Sequence, residues 1–221
     1  MTVELSPEAR VHVEKDIDAL TAELEGLYTR EEVEKRVYES IDDLPEATID
    51  EFVPLLAHKF ARRRLRAQAQ SEGKLAKHAP EVLFVDTRNA GLSQLAAGLV
   101  DAQSSGAVHP RTGGTEPAGE LDPNVLEAMK EIGVDMSSRF PKPITNEVVR
   151  AADVVVTLGV ADEIPRYDRL RYEDWDFEDP VGKDLDTVRR IRDELAERVK
   201  ALLATIETDQ AGAEAGAATN G

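Results

Sequence analysis

Glu81-Val-Leu-Phe-Val-Asp-Thr-Arg-Asn-Ala-Gly-Leu-Ser-Gln94 is the stretch that decides the fold. Val82 to Val85, with Phe84 inside the run, has the length and composition of a strand buried on both faces. Asp86 ends it, and Asn89-Ala90-Gly91 supplies a turn. Leu92, Leu95, Ala96 and Leu99 then fall at helical spacing through Val100. A strand, a tight loop of small residues and a helix aim successive backbone N–H groups and a helix N-terminus at one point. Such a point is an anion site.

On these residues the stretch resembles the phosphate-binding loop of low-molecular-weight protein tyrosine phosphatases and of the arsenate reductases that share their fold. That family carries a Cys directly after the strand and an Arg just before the Ser that opens the helix. Its thiolate attacks phosphorus or arsenic, and its Arg clamps the oxyanion with a bidentate fork. Here Asp86 stands at the nucleophile position and Leu92 at the Arg position, while Asn89, Gly91 and Ser93 match. The resemblance makes Asp86, Thr87, Arg88, Asn89, Ala90, Gly91, Leu92 and Ser93 the candidate ligand-binding residues of a former oxyanion loop. Both groups that carry the chemistry are replaced.

Three further segments resemble the arsenate-reductase branch: Thr115–Glu120, Phe140-Pro-Lys-Pro143 and Tyr172–Pro180. The last places Asp179 at the position of the family's general acid, which protonates the leaving group. Where the thiol-dependent reductases have Cys after a Val-Thr-Leu strand, this chain has Gly159, Val160 and Ile164.

Composition narrows the chemistry. The chain has 221 residues and no cysteine, which excludes disulfides, Cys-ligated zinc and any thiol mechanism. Its histidines, His12, His58, His78 and His109, lie far apart in sequence, so no metal or other cofactor is expected. A net charge of −17 argues against nucleic acid and acidic membranes as partners, since both are polyanions. No apolar run approaches the ~18 residues of a membrane span, and no signal-peptide pattern opens the chain. Cytoplasmic residence is the expectation.

Residues 1–72 read as three helices. Ser6-Pro7-Glu8 opens the first with an N-cap, a Pro at the first helical position and an early acid. Thr29-Arg-Glu-Glu32 is a capping box for the second. The third is expected from about Ile49 to Gln70, carrying Phe52, Leu55, Leu56, Phe60 and Leu65, with Pro54 near its start. Amphipathic helices this short bury their stripes by packing together. The unit resembles the N-terminal helical domain of some actinobacterial family members, which implies homodimerisation through residues 1–72. Arg62, Arg63, Arg64 and Arg66 form the concentrated basic run, read as a solvated helix end that neutralises an acidic chain, with a phosphate or acidic-partner patch as the other reading.

After a 73–79 linker, residues 80–206 alternate strands and helices, which implies parallel pairing. Further strands are expected at Ala107–Gly114, Asp153–Gly159 and Arg169–Trp175. Helices are expected from Pro123 to Gly133, Thr145 to Ala152 and Leu185 to Ile206. The α/β fold class that follows is a three-helix bundle joined to the family's flavodoxin-like four-stranded parallel sheet, with an unstructured 207–221 tail.

A carboxylate inside a cradle of N–H groups is expected to have a lowered pKa and to act as an internal anion. At ~4 Å and an effective dielectric of ~20, its repulsion of a bound oxyanion is on the order of several kcal/mol. The expected function is therefore a catalytically degenerate family member, a dimeric scaffold or partner-binding pseudoenzyme. Two alternatives stand beside it: an atypical phosphatase or arsenate-reductase-related enzyme using Asp86 with Mg²⁺ held by Asp86 and Asp179, and a small-molecule binding module in the former oxyanion pocket.

Overall fold

The computed structural model describes residues 5–44 and 53–219, with side chains through 211. Three helices open the chain: α1 (Pro7–Glu23), α2 (Arg30–Asp42) and α3 (Val53–Ser71). The capping chemistry is as the residues suggest. Ser6 Oγ accepts from the Ala9 N–H, and Thr29 and Glu32 form a reciprocal capping box. Ile49 and Phe52, where the third helix was expected to begin, lie outside the described residues; the described helix starts at Val53, with Pro54 in its first turn. Val13, Ile17, Leu20, Val33, Val37, Phe60 and Leu65 close the helical core.

The remainder is β1 (Glu81–Asp86), α4 (Leu92–Ser104), β2 (His109–Gly114), α5 (Pro123–Glu131), α6 (Asn146–Ala151), β3 (Val154–Leu158), β4 (Arg171–Trp175) and α7 (Leu185–Thr219). The strands form one parallel sheet in the order β2-β1-β3-β4, a flavodoxin-like arrangement. All six residues of β1 are buried, because alternate side chains enter opposite layers. Val82 and Phe84 join one core with α4, α5 and α7; Leu83 and Val85 join another with Val148, Val149 and Ala151 of α6. The last helix runs past Ile206 to Thr219, which corrects the expectation of an unstructured tail through that stretch. Extending an existing helix needs no new nucleus, and the alanine-rich sequence there favours propagation.

The helical unit is docked on the α6 face of the sheet. Phe140 inserts into the helical core, and Ala67 of α3 enters the sheet-face core. At this junction Glu147 of α6 accepts from Arg64 Nε at 2.5 Å and Arg36 Nη1 at 3.1 Å; Arg64 also reaches Asp43 at 2.7 Å. Burial pushes the Glu147 carboxyl up, but the hydrogen bond and charge of Arg64, helped by Arg36, outweigh it and hold the pKa below the ordinary glutamate value.

A depressed carboxyl contributes stability above its unfolded pKa and loses it as pH falls through the folded one. Glu147→Ala should therefore cost about 2–3 kcal/mol in urea unfolding at neutral pH. That is the low side for a broken buried pair, because Arg64 keeps Asp43. The gap between variant and wild type should close as pH falls below ~4.3.

Candidate functional site

The site is built where β1 gives way to α4. Asp86 is the last residue of β1, in register with Gly114 of β2. The loop that follows commits its carbonyls to one side: Asp86, Thr87, Arg88 and Ala90 accept from the N–H groups of Thr115, Glu116, Ala118 and Asp122. That leaves the loop N–H groups to converge on the other side, as in a nest. The Asp86 carboxylate enters this space. Its Oδ1 accepts from the Asn89 N–H at 2.5 Å and its Oδ2 from the Ser93 N–H at 2.9 Å. Among the described residues, the N–H groups of Thr87, Arg88, Ala90 and Gly91 make no hydrogen bond.

Asn89 holds the loop shape. It sits in the left-handed region at φ 48°, which Asn tolerates better than most residues. Fully buried, it donates from Nδ2 to Ser93 Oγ at 2.9 Å and accepts at Oδ1 from the Lys142 N–H and from Gln94 Nε2, both at 3.1 Å. Gln94 also donates to the carbonyls of Asn89 and Phe140. Two glycines allow the close approach of neighbouring chain: a Cβ on Gly114 would lie 2.7 Å from the Thr87 carbonyl oxygen, and one on Gly91 would lie 2.9 Å from Val181 Cγ2 and 3.3 Å from Asp179 Oδ1.

The structure thus brings Asp86, Asn89, Ser93 and Asp179 to one place. Leu92 goes elsewhere: it is buried in the apolar core with Phe84 and Leu95. Thr87 and Arg88 are exposed, and Arg88 makes no ion pair with Asp86. The Asp86 carboxyl is raised above the ordinary aspartate value, contrary to the lowered pKa expected of a carboxylate in an N–H cradle. Burial is the largest cause and outweighs the hydrogen bonds from Ser93 and Asn89, and the nearby Asp179 charge adds to it. Among the described residues no group of three or more His, Cys, Asp or Glu is placed to hold a metal, so Asp86 and Asp179 meet without a third ligand.

Residues 81–211 match the family model of low molecular weight phosphotyrosine protein phosphatases. The chain belongs to that family. Residues 13–69 match a second model, described as the N-terminal domain of protein-tyrosine-phosphatase-like proteins. The glutaredoxin arsenate reductase of Synechocystis is 33% identical over 129 residues, 57% of this chain and 98% of its own. Arsenate reductase 2 of Staphylococcus saprophyticus is 35% identical over 124 residues, 54% of this chain and 92% of its own. The solved Corynebacterium glutamicum thioredoxin-dependent arsenate reductase superposes with a TM-score of 0.81 at 36% identity, over 89% of this chain and 97% of its own. No described helix is long and apolar enough to cross a membrane.

Two site residues were not singled out from the sequence. Gln94 read only as part of a helix, and Lys142 only as part of the Phe140–Pro143 family segment. A buried amide one residue beyond the loop's Ser was the available signal for the first; nothing in the residues alone placed Lys142 behind the loop.

Because the folded pKa of Asp86 lies above its unfolded value, its contribution to stability is fully present below ~3.9 and is lost as pH rises through the raised value. A ¹³C NMR titration of the Asp86 carboxyl should show protonation persisting to higher pH than in an ordinary aspartate. A midpoint at or below the ordinary value would mean that the loop N–H groups outweigh burial.

Proposed function

We propose that the chain is a catalytically silent member of the family, whose oxyanion loop is occupied by its own carboxyl group and whose surviving role is that of a dimeric scaffold. The observation that carries this reading is Asp86 itself, with each oxygen hydrogen-bonded to a loop N–H that an oxyanion would otherwise use. The reading is supported by the absence of cysteine and by the burial of Leu92 in the apolar core, which leaves no thiolate to attack and no cation at that position to neutralise a transition state. Asp179 remains against the loop as an acid with no nucleophile to serve. The Mg²⁺-assisted alternative has two carboxylates to hold its ion, and magnesium bound by so few protein ligands relies on substrate phosphates for the rest.

Self-association is supported by the helical unit's surface. Val11, Tyr38 and Leu55, one on each helix, are large hydrophobic side chains left exposed. Homodimerisation through residues 1–72, in a cytoplasmic protein, is the association proposed.

The test is hydrolysis of p-nitrophenyl phosphate and acetyl phosphate, with and without Mg²⁺, by the wild type and by Asp86→Cys/Leu92→Arg. A silent wild type beside a double variant that turns over supports the reading. Wild-type turnover that Asp86→Ala abolishes would establish an aspartate-based hydrolase instead. Light scattering should give the mass of a dimer, reduced toward the monomer by Leu55→Glu.

A further inference from the structure

Away from the loop, a cavity of about 210 Å³ lies between the helical unit and the edge strand β2. Arg63 of α3 lines one side; Arg111 and Thr112 of β2 and Arg139 and Lys142 of the segment before α6 line the other. Four cations converge on one cavity of a chain whose net charge is −17. The acids on its lining, Asp101 and Asp135, are both exposed, whereas Lys142 is buried at 5% exposure.

The cations are unequally satisfied. Arg139 pairs with Asp101, and Arg111 with Glu81. Among the described residues, neither Arg63 nor Lys142 has a carboxylate within ion-pair distance. The contrast with the rest of the basic run is direct: Arg62 and Arg66 both reach Glu23, and Arg64 has Glu147 and Asp43. Arg63 and Lys142 instead share one aromatic ring, at 5.5 and 5.2 Å from the centroid of Phe140. Two cations are therefore gathered on a common ring with no carboxylate in ion-pair contact, and the Asp86 charge acts on Lys142 from beyond that distance.

Donors remain to be used. Lys142 Nζ donates to Thr112 Oγ1 at 2.7 Å and to the Phe140 carbonyl at 3.3 Å, so a charged ammonium has a third N–H left over. Arg111 spends Nε and Nη2 on Glu81 and Gln70, and its Nη1 makes no hydrogen bond among the described residues. Burial first, and then the neighbouring guanidinium groups, pull Arg63 down to about 10 and Lys142 well below the usual lysine range, with the Asp86 charge opposing the shift at Lys142.

We propose that this cavity binds a small phosphate dianion, free or as a compact monoester, between Arg63 and Lys142. Two cations without a paired carboxylate suit a dianion, and the arginine forks suit phosphate oxygens. The volume exceeds the ~150 Å³ cavity that admits benzene, which leaves room for a few carbon atoms beside the phosphate. Because Arg63 belongs to the helical unit and Lys142 to the α/β unit, the bound anion also fastens one to the other. The cavity lies behind the oxyanion loop, to which the Lys142 backbone is tied through Asn89 Oδ1, and none of residues 86–93 lines it.

Calorimetric titration of the full chain with inorganic phosphate and with glycerol 3-phosphate tests this. Both should bind, and thermal stability should rise with ligand concentration. Arg63→Ala, which removes a side chain that belongs to none of the hydrophobic cores, should weaken binding by about tenfold or more. Arg62→Ala, which removes the neighbour already paired with Glu23, should leave affinity within about twofold. Absence of binding by the wild type, or binding indifferent to Arg63→Ala but lost in Arg88→Ala on the oxyanion loop, would overturn the assignment.

Discussion

Everything distinctive about this chain depends on the two hydrogen bonds that the Asp86 carboxyl accepts from Asn89 and Ser93. A loop that turns its carbonyls outward and gathers N–H groups inward is unstable when empty, because backbone donors withdrawn from water need a partner. Here a side chain from the adjoining strand does part of that work, and the cost appears as a carboxyl whose pKa is raised by burial. The same group thus takes up two of the loop's N–H groups.

The surrounding fold explains how the loop holds its shape with Asp86 and Leu92 in it. Its carbonyls are held by Thr115, Glu116, Ala118 and Asp122, and its corner by Asn89, Gln94 and the Lys142 backbone. None of these bonds involves the position of the nucleophile's reactive atom or of the oxyanion clamp. Leu92 contributes a buried apolar side chain at the start of α4 to the core shared with Phe84.

Much of the fold was legible in the residues. β1 was visible because an unbroken apolar run can be satisfied only by burial on both faces, and the helix starts at Pro7, Arg30 and Pro123 were visible because capping chemistry is local. The end of α7 was not, since two glycines and the absence of large apolar residues hide a helix that merely propagates. At the site, Asp86 and Asp179 could be named from the family pattern, but the sign of the Asp86 pKa shift could not. Hydrogen bonds can be anticipated from a loop motif; the depth of burial that outweighs them is a property of the tertiary packing. The basic run divided in the same way. Sequence spacing treats its four arginines alike, whereas tertiary contacts give three of them carboxylates and leave Arg63 facing Phe140.

The most direct test of an internally occupied loop is the response of individual backbone amides to phosphate, followed by ¹⁵N–¹H NMR at mildly alkaline pH in the wild type and in Asp86→Ala. The account predicts that the Ala90 and Gly91 amides stay in place in the wild type and shift on phosphate addition once the carboxyl is removed. Equal shifts in both proteins would contradict it, because they would show an oxyanion entering the loop with Asp86 still present.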